Sequence, residues 1–176
     1  MTTFEYALNF ALVGLVVLQA RGITLTKAAL LVPVVMTAWA ATQVLHTVPT
    51  GGNDLLLEVC FTAAGLMLGG LAGVLTSVRR VGSAAVAKAG LVAGALWVAG
   101  VGARIAFSVW VQNGGAPVVR EFSRLHDIAG GSAWGTGFVL MALTEVMSRT
   151  GMLYVKARRS GATIERGGLV RRFAAA

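Results

Sequence analysis

The sequence reads as an all-α polytopic membrane protein, a bundle of about five transmembrane helices within residues 1–148, followed by a basic juxtamembrane tail over 149–176. Three observations carry that reading. Hydrophobic residues make up 56% of the 176 residues and charged residues only 12%, whereas a soluble domain carries about 25% charged residues to keep its surface wet. The apolar residues fall into runs near 4–20, 28–46, 55–78, 89–111 and 128–148, each close to the roughly 20 residues that cross a hydrocarbon core as a helix. The basic residues gather between the runs and in the tail. Backbone groups in lipid must be paired within the protein, so the runs are expected to be helices rather than strands.

Taken in order, the first run follows MTTFEYALNF, which lacks the positive region of a secretory signal and carries Glu5 instead, so it reads as a retained helix. The second contains Pro33, and the third has no charge from residue 59 to 78. Gly65, Gly69 and Gly73 fall four apart in AAGLMLGGLAG, and Gly131 and Gly135 repeat the spacing in AGGSAWGTG. Four residues are about one helical turn, so each set opens one face to a neighbouring backbone. The neighbour is expected inside the bundle, with a homodimer seam on the third run as the alternative. The fourth run carries Arg104. After it, APVVREFSRLHDIAG begins with Pro117 and spaces Val118, Val119, Phe122 and Leu125 as a short amphipathic helix would, lying in the membrane interface.

Basic residues set the orientation. Arg21, Lys27, Arg79, Arg80, Lys88, Arg149, Lys156, Arg158, Arg159, Arg166, Arg171 and Arg172 fall on one side, and only Arg120 and Arg124 on the other. The positive-inside rule then places the N-terminus outside and the C-terminus in the cytoplasm. The excess of arginine over lysine, with abundant Ala, Gly and Val, points to a bacterial cytoplasmic (inner) membrane as the location. Lys156, Arg158, Arg159, Arg166, Arg171 and Arg172 are expected to lie against anionic lipid of the inner leaflet, since each such residue contributes about 1 kcal/mol there.

Polar residues within the runs are the candidates for function. Counted from the span midpoints, Arg104 lies roughly 6 Å outward of centre and Glu145 about 10 Å inward, an axial gap near 16 Å that argues against a direct pair. The expected partner of Arg104 is therefore Glu58, within an outer-leaflet cluster that also holds Glu5, His46, Asp54, His126 and Asp127. Glu145 is expected to pair instead with Arg149, one turn later, at the inner interface. An intramembrane charge needs a partner or a wet cavity.

The remaining chemistry is sparse. The single cysteine, Cys60, excludes a disulfide or CxxC pair within the chain. No GxSxG setting or phosphate-binding glycine pattern occurs, so no catalytic residue is assigned and no enzyme activity is expected. The net charge of +8 follows membrane topology rather than nucleic-acid binding. No metal or other cofactor is expected, with haem or metal ligation through His46 and His126 as the alternative.

A run KAALLVPVVMTAW with Pro33, a basic inner loop, LWVAGVGARIAF with Arg104, and a last span closing on EVMSRTGMLYVKAR together resemble the CcdC-like family of small bacterial membrane proteins, over roughly residues 20–160. Arg104, His126 and Arg149 look like its shared polar positions. The family takes its name from a member encoded near cytochrome c maturation genes, and its biochemical role is largely undefined. The resemblance implies an accessory role in extracytoplasmic redox chemistry or cytochrome assembly. The expected function is thus an accessory or scaffold protein with a membrane-protein partner. The alternative is a small transporter or permeation protein with an Arg104/Glu58 site.

Overall fold

The computed structural model describes residues 23–44 and 49–164; the run 4–20, Glu5, His46, Arg166, Arg171 and Arg172 lie outside the described residues. The elements in order are β1 (Ile23–Thr24), α1 (Lys27–Val44), α2 (Asp54–Leu75), β2 (Thr76–Val81), β3 (Ala84–Ala89), α3 (Leu91–Trp110), a π-turn (Val111–Gly115), α4 (Ala116–Leu125) and α5 (Gly131–Arg159). Helix α2, helix α5, and α3 with its continuation to Leu125 are long and apolar enough to cross a membrane. Helix α1 is apolar but shorter over Lys27–Thr42. Its first turn is capped by Thr26, whose Oγ1 accepts the Ala29 N–H at 3.1 Å.

The seam between α2 and α5 organises the bundle. Gly137 faces Phe61, Gly65 faces Met141, Gly69 faces Glu145, and Gly73 faces Met152 and Arg149. The two numbers rise together, so these helices run parallel, each advancing one turn per contact. A Cβ at Gly65 or Gly69 would collide with the carbonyl oxygen of Met141 or Glu145, and one at Gly73 would come within 2.6 Å of Met152 Cβ. The glycines thus bring two backbones into direct contact within one chain. Thr144 adds a hydrogen bond across the seam, from its Oγ1 to the Thr62 carbonyl at 3.2 Å.

Gly131 and Gly135 meet none of the described helices closely. No described atom comes within 4 Å of a Cβ placed at either. The face of α5 that meets α2 runs through Ala133, Gly137, Met141 and Glu145 in four-residue steps. A helix turns roughly 200° in two residues, so Gly131 and Gly135 point away from it.

The all-α expectation also needs correction. The third apolar run ends as a helix at Leu75, and residues expected to form a basic loop make a hairpin, β2–β3, joined by a two-residue turn at Gly82 and Ser83. Gly82 has φ +62°, a conformation that glycine adopts without the steric penalty of a Cβ. With β1 they form a three-stranded antiparallel sheet of order β1-β3-β2. Alternation divides its faces. Val78, Ala85 and Ala87 pack with Leu25, Leu30, Leu153 and Ala157 in one apolar cluster, while Ser77, Arg79 and Lys88 are exposed. The strands lie past the ends of α2 and α3, where polar surroundings can satisfy an open edge, so the rule against strands in hydrocarbon is not broken.

The other end of α3 breaks at Asn113 (φ −103°, ψ 36°) and Gly114 (φ 108°) before α4 begins with Pro117 in its first turn. Asn113 and Gln112 turn back to hydrogen-bond the carbonyls of Val109 (2.7 Å) and Ser108 (3.1 Å), which serves acceptors the broken helix leaves open. Helix α4 is the short amphipathic segment, with Val118, Phe122 and Leu125 exposed along one side.

Adjacent glycines test the seam. Gly69→Ala should destabilise the protein by about 1–3 kcal/mol through overpacking. Gly70→Ala, at a position with open space beside it, should be neutral or stabilising by up to about 1 kcal/mol. Thermal unfolding of both in the same detergent checks the difference.

Candidate functional site

Helix α5 extends through Arg159, 29 residues from Gly131. Glu145 is therefore its central residue, with fourteen on either side. Helix α3 runs antiparallel to α5: Gly100 faces the Glu145 carboxylate, where a Cβ would lie 2.9 Å from Oε1, and Phe107 meets Phe138 at 5.0 Å. Arg104 starts one turn beyond Gly100, toward the α4 end, and folds back to Glu145. Its Nη2 donates to Glu145 Oε2 at 2.9 Å, with the Glu145 side chain 3% exposed and the Arg104 side chain 19%. The pair argued against from axial distance is the ion pair that forms.

Arg149, Lys156 and Arg158 look like the start of a tail in the sequence, whereas α5 continues through them to Arg159. An arginine side chain also covers about a further turn. On the α4 side of Arg104 lies an aromatic layer. Phe107 stacks on Trp134 (5.1 Å, 21°), Phe61 meets Phe138 edge-on (4.6 Å, 78°), and Phe61 meets Trp134 at 5.9 Å. This layer joins α2, α3 and α5 and is apolar, so the guanidinium finds its counter-charge on the opposite side, at Glu145. Arg104 forms no hydrogen bond to Glu58 among the described residues, and its Nη1 is buried without a hydrogen-bond partner there.

Arg149 is buried, at 9% exposure, one turn beyond Glu145. It lies on the same helix as Glu145, inside the bundle. Lys156, expected against lipid, instead donates to the carbonyls of Gly73 (3.0 Å), Val74 and Thr76 (2.9 Å). It caps the C-terminus of α2, where open carbonyls and the helix dipole favour a cation. Arg158 and Arg159 are exposed, and Arg158 Nε donates to the Tyr154 hydroxyl at 3.0 Å.

At the far end, α2 is strapped to the loop before α5. Asp54 Oδ1 accepts the Ala129 N–H at 2.7 Å, the Asn53 N–H donates to the Asp127 carbonyl at 2.9 Å, and Asn53 Nδ2 donates to the His126 carbonyl at 2.9 Å. Asp127 takes a positive φ of 49° and lies against Gly52, itself at φ 51°. The loop thus brings Asp54, His126 and Asp127 together largely through backbone. The His126 ring stacks on Phe122 at 4.1 Å and is exposed. Glu58 is buried one turn below Asp54, and Oε1 of Glu58 and Oδ2 of Asp54 are buried without hydrogen-bond partners among the described residues. No group of three or more His, Cys, Asp and Glu side chains suited to a metal ion occurs among the described residues.

The Arg104–Glu145 pair, the aromatic layer and the Lys156 cap are the features that sequence reasoning did not assign. A signal existed for the first: Gly100 stands one turn before Arg104, and a small residue there lets a second helix bring a carboxylate close. Comparison with protein-family models, with curated proteins and with solved structures finds no match to this chain.

Removing one member of a buried ion pair exposes the other to an uncompensated cost. Arg104→Ala and Glu145→Ala should each lower stability by about 3–5 kcal/mol. The double replacement Arg104→Met with Glu145→Met should recover most of that loss. Unfolding in a fixed detergent measures all three, and a double variant as unstable as the sum of the singles would contradict the pairing.

Proposed function

We propose that this chain is a multi-pass protein of the bacterial cytoplasmic membrane, acting as an accessory or scaffold subunit without catalysis of its own. In this reading five spans cross the bilayer, the N-terminus lies outside, and the sheet with the end of α5 lies in the cytoplasm. The gathering of Lys27, Arg79, Arg80, Lys88, Lys156, Arg158 and Arg159 around the sheet end supports that orientation. An extracytoplasmic redox or cytochrome-assembly setting, implied by the CcdC-like resemblance, belongs to the same proposal.

One observation carries it: the seam glycines, Arg104 and Lys156 are engaged by the chain's own helices. Arg104 is bonded to Glu145, Gly65, Gly69 and Gly73 close on α5, and Lys156 caps α2. Left facing outward are apolar side chains along α2, among them Leu56, Val59, Met67 and Val74, each more than half exposed. Such a surface suits lipid or another membrane helix. Isolation in mild detergent should recover a membrane-protein partner in constant ratio, lost on Met67→Lys while the chain still folds. A partner-free chain under the mildest extraction would count against the scaffold role.

A second reading, a small permeation protein, is favoured by one specific feature. Arg104 Nη1 and Glu58 Oε1 are buried without hydrogen-bond partners among the described residues, and such atoms in a membrane protein commonly meet water or a permeant. The site on this reading is Arg104 with Glu145. Flux of small anions into proteoliposomes should then collapse in Arg104→Lys, which keeps the charge and loses the fork. Absence of flux above empty vesicles in the unaltered protein removes this reading.

A further inference from the structure

The hairpin β2–β3 joins two membrane-length helices without linkers: α2 ends at Leu75 where β2 begins at Thr76, and β3 ends at Ala89 just before α3 begins at Leu91. Its inner face covers Leu153 and Ala157 of α5. These lie eight and twelve residues beyond Glu145, roughly 12 and 18 Å along the helix. Half of a hydrocarbon core is about 15 Å. With Glu145 at the middle of its span, the hairpin stands beside the helices at the depth of the phospholipid headgroups.

Its outer face is suited to that depth. The register pairs Ser77 with Lys88 and Arg79 with Val86, so alternation sets Ser77, Arg79, Val81, Val86 and Lys88 on the face away from the core. Arg79 and Lys88 are diagonal neighbours there, about 7–8 Å apart at the backbone. Both are exposed. Neither forms an ion pair among the described residues, and the sequence has no Asp or Glu from residue 59 to 120. Val81, 46% exposed, supplies an apolar edge beside them.

We propose that the outer face of this hairpin binds the headgroup of an anionic phospholipid, its phosphate held between Arg79 and Lys88 and its glycerol edge against Val81 and Val86. The proposal rests on the reading that α2, α3 and α5 cross the bilayer. It differs from a tail lying on the leaflet in naming a defined pair of cations on a rigid strand pair.

The test reconstitutes the full chain in vesicles of equal phosphatidylglycerol and phosphatidylcholine, and counts lipids retained after mild extraction by native mass spectrometry. The unaltered protein should retain phosphatidylglycerol in preference. Arg79→Gln with Lys88→Gln should lower the retention ratio by about fivefold per charge, roughly 25-fold together. The exchange Arg79→Lys with Lys88→Arg should preserve it, and Arg120→Gln with Arg124→Gln, an equal loss of charge at the opposite end, should leave it unchanged. An unaltered ratio in the hairpin variant overturns the proposal. So does an equal fall in both neutralised variants, which means diffuse attraction. Failure of the chain to float with the vesicles removes the spanning reading itself, and is seen before any lipid is counted.

Discussion

A charge inside hydrocarbon has no water to turn to, and that constraint decides how these helices are arranged. Arg104 must meet a carboxylate, and the one it meets is Glu145 at 2.9 Å. The same residue is approached from two sides. Gly100 of α3 lies against its carboxylate, and Gly69 of α2 lies against its backbone oxygen. Both neighbours are glycine because both helices must come closer than a side chain would permit. Residue 145 therefore fixes the axial level of α3 by charge and that of α2 by contact. Loss of the charge and loss of either glycine should act on the same packing, although the chemistry of each differs.

From that centre the bundle is layered. Toward the α4 end lie the rings of Phe61, Phe107, Trp134 and Phe138, which join three helices through edge and face contacts. Trp134 also has a polar end, and its Nε1 donates to Ser123 Oγ at 3.1 Å, which ties α4 to α5. Toward the sheet end, Arg149 is buried and Lys156 closes the end of α2. The layers have different physical origins, and each holds at least two helices. The helices of this chain expose much apolar surface, and area burial alone discriminates little between one arrangement and another when lipid is equally apolar. Specific contacts of these kinds supply the discrimination.

The membrane character was legible in the sequence because it depends on composition and run length, which chain order alone displays. So was the small-residue face: Gly65, Gly69 and Gly73 announce close approach, although nothing in their spacing names α5 as the partner. The break after Trp110 was legible from Pro117 and the glycines before it. Glu145 was misplaced for a different reason. Hydropathy marks where a helix leaves lipid, not where it ends, and α5 continues through Arg149 and Lys156 because both find partners or burial on the protein side. The hairpin was hidden by its basic residues, which topology rules count as loop. The alternation of Val78 with Arg79, and of Ala87 with Lys88, was there to be read as two-faced strand.

The central charges also bear on which function the bundle serves. A purely structural pair would often be replaced at little cost by apolar residues of similar size. Arg104 keeps one nitrogen, Nη1, buried without a hydrogen-bond partner among the described residues. The scaffold and permeation readings thus make opposite claims about one atom, Arg104 Nη1. In the first it is satisfied by protein and stays dry; in the second it exchanges its partner with solution.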